Sequence, residues 1–215
     1  MMKEFDFIEC LEIKELLGRK ADNELHLMEM IEEAPADSIY YHTHSYFLRH
    51  FYLSGQYPND FANWTVLQVR DRVLGEKLGS ITPAPGKGIE EIRSEIIDIM
   101  DAHLSSLRTV PAVIQGEPFY FMKSRIIKVP TGKKAGSLDE FIKVLSSIHA
   151  SAIYFHMFEA RIRIKKGKSD FSIWLEEVLG LGGLADKIEK IDCYMYSLEQ
   201  IRRKIVELCQ KELKK

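Results

Sequence analysis

The sequence predicts a mostly helical α+β protein built as a tandem duplication of a strand–four-helix unit. The main observation is an internal repeat, because a shift of 114 positions places the segment that starts at Phe5 on the segment that starts at Phe119. Both segments begin with phenylalanines two residues apart, and apolar residues at helical spacing follow each of them. Further matches keep their order across a loop that differs by four residues: Ile39, His42, Arg49, Asp60 and Trp64 correspond to Ile153, His156, Arg163, Asp170 and Trp174.

Each copy opens with a predicted strand, Phe5 to Ile13 or Phe119 to Val129, in which aromatic and β-branched residues recur. A turn is expected next, at Gly18 or Gly132. Four helices follow, with predicted starts near Asn23, Asp37, Asp60 and Gly88 in the first copy and near Ser137, Ser151, Asp170 and Ser197 in the second. A carboxylate at a helix start can accept hydrogen bonds from unpaired amides, so the sequence predicts that Asp60 and Asp170 cap the third helix.

The predicted copies span residues 1–108 and 117–215, and residues 109–116 connect them. The stretch RTVPAVIQGEP around this connection contains two prolines and a glycine, which is typical of a linker. A lone strand leaves its backbone groups unpaired, so we expect the two equivalent strands to pair with each other or with a second chain. A pseudo-twofold axis between the copies, as in a fused homodimer, would make that pairing antiparallel. A homodimer of the whole chain is compatible with the same pattern.

The composition is that of a globular protein, with 46% hydrophobic and 29% charged residues among 215. A formal net charge of -2 does not favour binding to nucleic acid. No apolar run approaches the roughly 20 residues of a membrane-spanning helix, and the N-terminus lacks the pattern of a secretory signal. The three cysteines form no CxxC pair. We therefore expect a cytoplasmic protein that binds neither nucleic acid nor a membrane.

One histidine–aspartate pair occurs in each copy, and these four residues are the candidate catalytic residues. They are His42 with Asp60, and His156 with Asp170. A carboxylate can orient an imidazole as a general base near neutral pH. The alternative interpretation is structural, since duplicated copies also keep residues that satisfy buried polar groups. We favour the structural interpretation, and no serine or cysteine stands in a nucleophile motif.

The predicted second helix contains His42, His44 and His50, which could form a metal site with Asp60 at the start of the next helix. The second copy has Phe158 and Ile164 in place of His44 and His50, which weakens this hypothesis. We therefore assign no metal ligands and no cofactor.

The candidate ligand-binding residues are aromatic and cationic side chains present in both copies. A glycine with two cations ahead of a predicted helix N-terminus favours an anion, although neither stretch matches a phosphate loop. Tyrosines and arginines on the second helix add stacking and charge. These candidates are Tyr40, Tyr154, Arg49, Arg163, Lys20 and Lys134.

Several long segments of this sequence resemble an uncharacterised prokaryotic family catalogued as domain of unknown function 5752. They are SIYYHTHSYFLRHFYLSGQYPNDFANW in the first copy and PTGKKAGSLDEF, AIYFHMFEARIRIKKGKSDFSIWL and DCYMYSLEQIR in the second. The resemblance covers nearly the whole chain and implies the domain plan, but no mechanism. The sequence therefore predicts a protein of unknown function, most simply a non-catalytic helical module that binds a small molecule or a protein partner. The alternative is a hydrolase-type enzyme that uses a His–Asp pair in a helical bundle, with or without a metal ion.

Overall fold

The computed structural model describes residues 4–50, 57–83, 86–161 and 167–215. These residues have a mixed α+β architecture with eleven α-helices and one antiparallel sheet of two strands. The predicted fold class is confirmed at this level. No helix in the described ranges is both long enough and apolar enough to cross a membrane.

The two strands are β1 (Phe5–Ala21) and β2 (Phe119–Ala135), and they pair with each other. This confirms the expected pairing of the two equivalent segments. Both strands are longer than predicted, because the expected turns at Gly18 and Gly132 do not form. Both glycines have a φ of 70°, which a residue without Cβ adopts readily, and the strand continues through them.

The helices follow the predicted order, but the described residues contain six in the first half of the chain and five in the second, where four were predicted in each. In the first half of the chain they are α1 (Glu24–Glu33), α2 (Ala36–Thr43), α3 (Tyr46–Arg49), α4 (Asp60–Trp64), α5 (Arg72–Gly79) and α6 (Ile89–Leu104). In the second half they are α7 (Leu138–Leu145), α8 (Ala150–Ile153), α9 (Asp170–Glu177), α10 (Gly182–Glu189) and α11 (Leu198–Leu213). Two segments have π-helical hydrogen bonding, Thr65–Val69 after α4 and Tyr154–Glu159 after α8.

Polar caps explain several of these helix starts. Asn23 accepts a hydrogen bond from the backbone N–H of His26, and Ser137 accepts one from Glu140. The third predicted helix starts where expected, but the predicted caps are wrong. Asn59 and Ser169 cap it instead, each one residue before the aspartate.

The chain divides into two compact units, and each unit contains residues from both predicted copies. Unit 1 contains the described residues within Met1–Leu11, Phe47–Ser54 and Ile126–Lys215. Unit 2 contains those within Glu12–Tyr46 and Gly55–Arg125. Each strand therefore begins in one unit and ends in the other. The division of the sequence into copies 1–108 and 117–215 stays a prediction. In the structure, the first residues of β1 belong to unit 1 and the first residues of β2 belong to unit 2.

Each unit has its own aromatic core, and the strand starts contribute to both. In unit 1, Phe5 and Phe7 pack beside Phe141, Phe171 and Trp174, and the Phe5 and Trp174 rings lie 5.6 Å apart. The core of unit 2 has the same chemistry: Phe119 and Phe121 pack with Phe61, Trp64 and several aliphatic residues. Here the ring centroids of Phe119 and Trp64 lie 5.9 Å apart. The start of each strand is thus needed to complete a core formed mainly by the helices of the other half.

Candidate functional site

In unit 1, His156 connects a helical segment to β1. Its Nδ1 lies 2.8 Å from Oδ2 of Asp170, the first residue of α9, and its Nε2 lies 2.9 Å from the backbone nitrogen of Ile8. Because the Ile8 N–H can only donate, Nε2 accepts this bond and the hydrogen of the neutral ring is on Nδ1. The side chain is buried. These contacts fix the ring between strand and helix.

In unit 2, His42 makes the equivalent contacts. Its Nδ1 lies 2.8 Å from Oδ2 of Asp60, and its Nε2 accepts a hydrogen bond of 3.0 Å from the backbone N–H of Met122 in β2. Both residue pairs that the sequence singled out are therefore in contact. Each aspartate stands at the first position of its helix, where its carboxylate faces the imidazole instead of capping the helix.

This arrangement limits what the two imidazoles can do chemically. A general base needs a lone pair that faces the substrate. In His42 and His156 the only lone pair of the neutral ring is occupied by a backbone N–H. Proton abstraction would first require that bond to open. The catalytic assignment of His42, Asp60, His156 and Asp170 stays a prediction, and their observed contacts hold strand starts against helices.

A cavity of about 310 Å³ lies in unit 1 beside the His156–Asp170 pair. Its walls combine buried aromatic rings with a charged rim. The apolar lining comes from Phe5, Ile8, Phe155, Ile173, Trp174 and Val178, and the polar lining from Glu4, Asp6, Lys128, His156, Asp170 and Glu177. This volume is at the lower end of the range of about 300–1,000 Å³ that is usual for small-molecule pockets.

The rim of this cavity carries an excess of negative charge. Among the residues that the structure describes, four carboxylates line it, from Glu4, Asp6, Asp170 and Glu177, together with one ammonium group, from Lys128. The Nζ of Lys128 lies 5.7 Å from the centre of the Phe155 ring, within cation–π distance. Lys134, outside the lining, lies 3.3 Å from Asp6 and 3.6 Å from Glu4. The hydrogen bond to Asp6 and the nearby charges raise the pKa of Lys134.

The candidate ligand-binding residues are scattered over both units. Tyr40 stacks on His44 in unit 2, and Tyr154 is fully buried and stacks on Phe158 in unit 1. Arg49 is half-buried, and Lys20 is exposed on β1. Lys134 borders the cavity through its ion pairs, and Arg163 lies outside the described residues. Lys134 forms ion pairs with Asp6 and Glu4, which both line the cavity.

Sequence reasoning missed a polar cluster in unit 2. Glu24, Asp71 and His103 each place a possible ligand atom within 4.8 Å of the others. Burial raises the pKa of Glu24 to about 8, and the charge of Asp71 adds to the increase. One signal in the sequence could have found it: Glu24 starts its helix at the position where the second copy has Leu138. A charged residue at a position that is apolar and buried in the repeat is unusual.

Comparison with known proteins gives a family and a structural relative. The family described as "Family of unknown function (DUF5752)" matches residues 2–210. The solved structure of OrfY from Thermoproteus tenax is similar, with a TM-score of 0.79 and 27% sequence identity, over 97% of this chain and 95% of OrfY. No curated protein has detectable similarity to the sequence.

Proposed function

Since the chain belongs to the DUF5752 family, whose description names no activity, we propose a function from the site itself: a non-catalytic module whose unit 1 cavity binds a small organic cation. The observation that carries the proposal is the combination, in the described lining, of aromatic walls with four rim carboxylates and one ammonium group. Aromatic faces and carboxylates both attract a positively charged group. The apolar lining favours a ligand with a hydrophobic body.

Trp174 supports this location because it lines the cavity while forming part of the unit 1 core. In unit 2 a backbone segment lies against the matching tryptophan. The Nε1–H of Trp64 donates to the backbone carbonyl of Glu117 over 2.9 Å, and the Glu117 N–H donates to the Gln68 side chain.

The occupied lone pairs of the two histidines support a binding role over a catalytic one. His156 forms one wall of the cavity, but its Nε2 already accepts the Ile8 N–H. A π-helical segment carries this histidine, and such segments occur frequently at functional sites. We propose that the segment sets the position of the wall, while the ligand is held by aromatic and carboxylate groups.

The hydrolase remains the second candidate, because Asp170 and His156 both line the cavity. It requires the Ile8 N–H to leave Nε2 during turnover. A hydrolytic activity that His156→Gln abolishes without a change in melting temperature would favour this candidate over the binding module.

We also propose that the chain arose by duplication and that a pseudo-twofold axis relates the copies. The matched contacts support this origin. His42 and His156 each pair with the first residue of a helix and each accept a bond from a strand start of the other half.

The experiment is titration of the full chain with a matched set of probes. We expect 2-phenylethylamine to bind, and the isosteric neutral 2-phenylethanol and anionic 3-phenylpropionate to bind at least tenfold more weakly. A Trp64→Phe variant leaves Trp174 as the reporting fluorophore, so its emission should change on binding. Glu177→Gln should weaken binding of the amine and leave that of the alcohol unchanged. Equal affinity for the amine and the alcohol, or no binding of the amine at millimolar concentration, would overturn the proposal.

A further inference from the structure

The geometry points to a divalent metal site in unit 2, formed by Glu24, Asp71 and His103. It is independent of the proposed cation cavity, since its residues belong to the other compact unit. The three side chains are far apart in sequence and come from three different helix ends. We propose that they bind a first-row transition metal ion such as Zn²⁺ or Mn²⁺.

The positions of the three residues are fixed by the helices that carry them. Glu24 is the first residue of α1, and His103 is in the last turn of α6. Asp71 caps α5, where its Oδ1 accepts a hydrogen bond of 2.9 Å from the Leu74 N–H. Its Oδ2 lies 2.8 Å from Nε2 of His103. One carboxylate oxygen of Asp71 is therefore structural, and the other faces the cluster.

The distances suit a common ion. One candidate ligand atom from each residue lies within 4.8 Å of the other two. Metal–ligand distances of about 2.0–2.2 Å allow two ligand atoms on one ion to be at most about 4.4 Å apart. Three ligand atoms on one tetrahedral ion lie about 3.3–3.6 Å apart. The Glu24 carboxylate therefore has to turn toward the Asp71–His103 pair by up to roughly an ångström to bind the same ion.

The independent observation that a ligand belongs here is the state of the Glu24 carboxyl group. The residue is 0% exposed, and neither of its side-chain oxygens has a hydrogen-bond partner among the described residues. A buried carboxylate without a partner is strongly unfavourable unless a cation or a proton compensates it. A metal ion would supply that partner and would also relieve the repulsion between Glu24 and Asp71.

The corresponding positions in unit 1 show that the fold itself does not require these polar groups. The first residue of α7 is Leu138, and Leu181 precedes α10 as Asp71 precedes α5. Near the end of α11, Glu212 is paired with Lys215 at 2.7 Å. An apolar residue therefore fills the position of Glu24 in a unit with the same helix order, so packing alone does not explain the buried carboxylate.

The donor set indicates the class of metal. Two carboxylates and one imidazole offer oxygen and nitrogen donors, which suit Zn²⁺ and Mn²⁺, whereas Cu⁺ favours thiolate and thioether ligands. Mg²⁺ and Ca²⁺ prefer sets made of oxygen alone. We therefore expect Zn²⁺ or Mn²⁺ to bind more tightly than either of them.

The test uses the full chain after treatment with a chelator. Equilibrium dialysis against Zn²⁺ and Mn²⁺, with metal content measured by elemental analysis, should give one equivalent of at least one of the two ions per chain. Bound metal should raise the melting temperature. Glu24→Leu, which introduces the residue type found at Leu138, should bind no metal and should show no rise in melting temperature when metal is added. The matched control is His26→Ala, because His26 and Asp22 form an exposed pair with atoms 3.0 Å apart; it should bind like the original protein.

Circular dichroism and the melting temperature in chelator separate loss of metal from loss of fold. Glu24→Leu should melt no lower than the metal-free original protein, because it removes an uncompensated carboxyl group. If Glu24→Leu does not fold, the isosteric Glu24→Gln replaces it with the same expectation for binding. The proposal is overturned if the original protein takes up less than a tenth of an equivalent of both ions. Stoichiometric binding that persists in the folded Glu24 variant, or that His26→Ala removes, overturns it as well.

Discussion

Nε2 of His156 accepts a hydrogen bond from the backbone N–H of Ile8, 148 positions away in the sequence. The contact joins a π-helical segment of the second half to the strand at the beginning of the chain. The same ring donates from Nδ1 to Asp170. One buried side chain thus ties together three elements of unit 1, and the tautomer of its neutral form is set by a strand.

Replacing His156 should destabilise the protein substantially. His156→Ala removes both hydrogen bonds, leaves the Ile8 N–H without its acceptor and opens a cavity, so we expect a loss of about 2–4 kcal/mol in the free energy of unfolding. Denaturant unfolding measures it. The exposed His26→Ala serves as control and should change stability by less than about 0.5 kcal/mol. A change for His156→Ala as small as the control would contradict the anchoring role.

Substitutions of Asp170 separate hydrogen bonding from charge. Asp170→Asn retains an oxygen that can accept the Nδ1–H of His156, whereas Asp170→Ala leaves that donor unpaired in a buried site. We expect Asp170→Ala to lose about 1–3 kcal/mol of unfolding free energy and Asp170→Asn to lose less. Thermal and denaturant unfolding of the two variants provide the comparison. Equal losses would show that the carboxylate charge, and not the bond, matters.

His44 should make the stability of the protein depend on pH. Burial lowers the pKa of His44 from 6.5 to about 4. The unfolded chain therefore binds a proton at this residue below about pH 6.5, while the folded chain does so only near pH 4. Between these values the unfolded state carries more protons, so stability rises with pH and falls on acidification. The contribution is on the order of 3 kcal/mol over the whole window.

The variant that tests this contribution is His44→Phe, which installs the residue that stands at Phe158 in the second copy. Free energies of unfolding at pH 4, 5, 6 and 7 should show a shallower dependence on pH in this variant than in the original protein. Parallel curves for the two proteins would exclude His44 as a source of the dependence.

The glycines inside the strands should resist substitution for a backbone reason. An added Cβ at Gly18 or Gly132 would meet no atom within 4 Å, but both residues have a φ of 70°. Left-handed backbone costs an L-residue roughly 1–2 kcal/mol, so Gly132→Ala should lose about that much unfolding free energy. Gly183→Ala is the matched control, since it also has open space and lies in α10 without a positive φ. That control should be neutral or slightly stabilising; a similar loss in both variants would argue against backbone strain.

The sequence alone determined the family, the α+β class and the start of most helices. It left two partners possible for each strand, the equivalent strand or a second chain, and the structure pairs the two strands with each other. The class and the helix starts depend on local patterns: alternating phenylalanines, capping residues such as Asn23 and Ser137, and apolar residues at helical spacing. The contacts of His42 with Asp60 and of His156 with Asp170 could also be predicted, because the same pair recurs in both halves of the chain.

The tertiary structure decided which strand start completes which core, and it placed Ile8 and Met122 on the two histidines. Local pattern could not specify this, because Phe5 and Phe119 have equal chemistry and would fill either core equally well. Antiparallel pairing puts the start of each strand beside the end of the other, and chain connectivity then assigns each aromatic pair to the opposite half. The Glu24 cluster has the same origin: no spacing links three residues that only the packing of helix ends brings together.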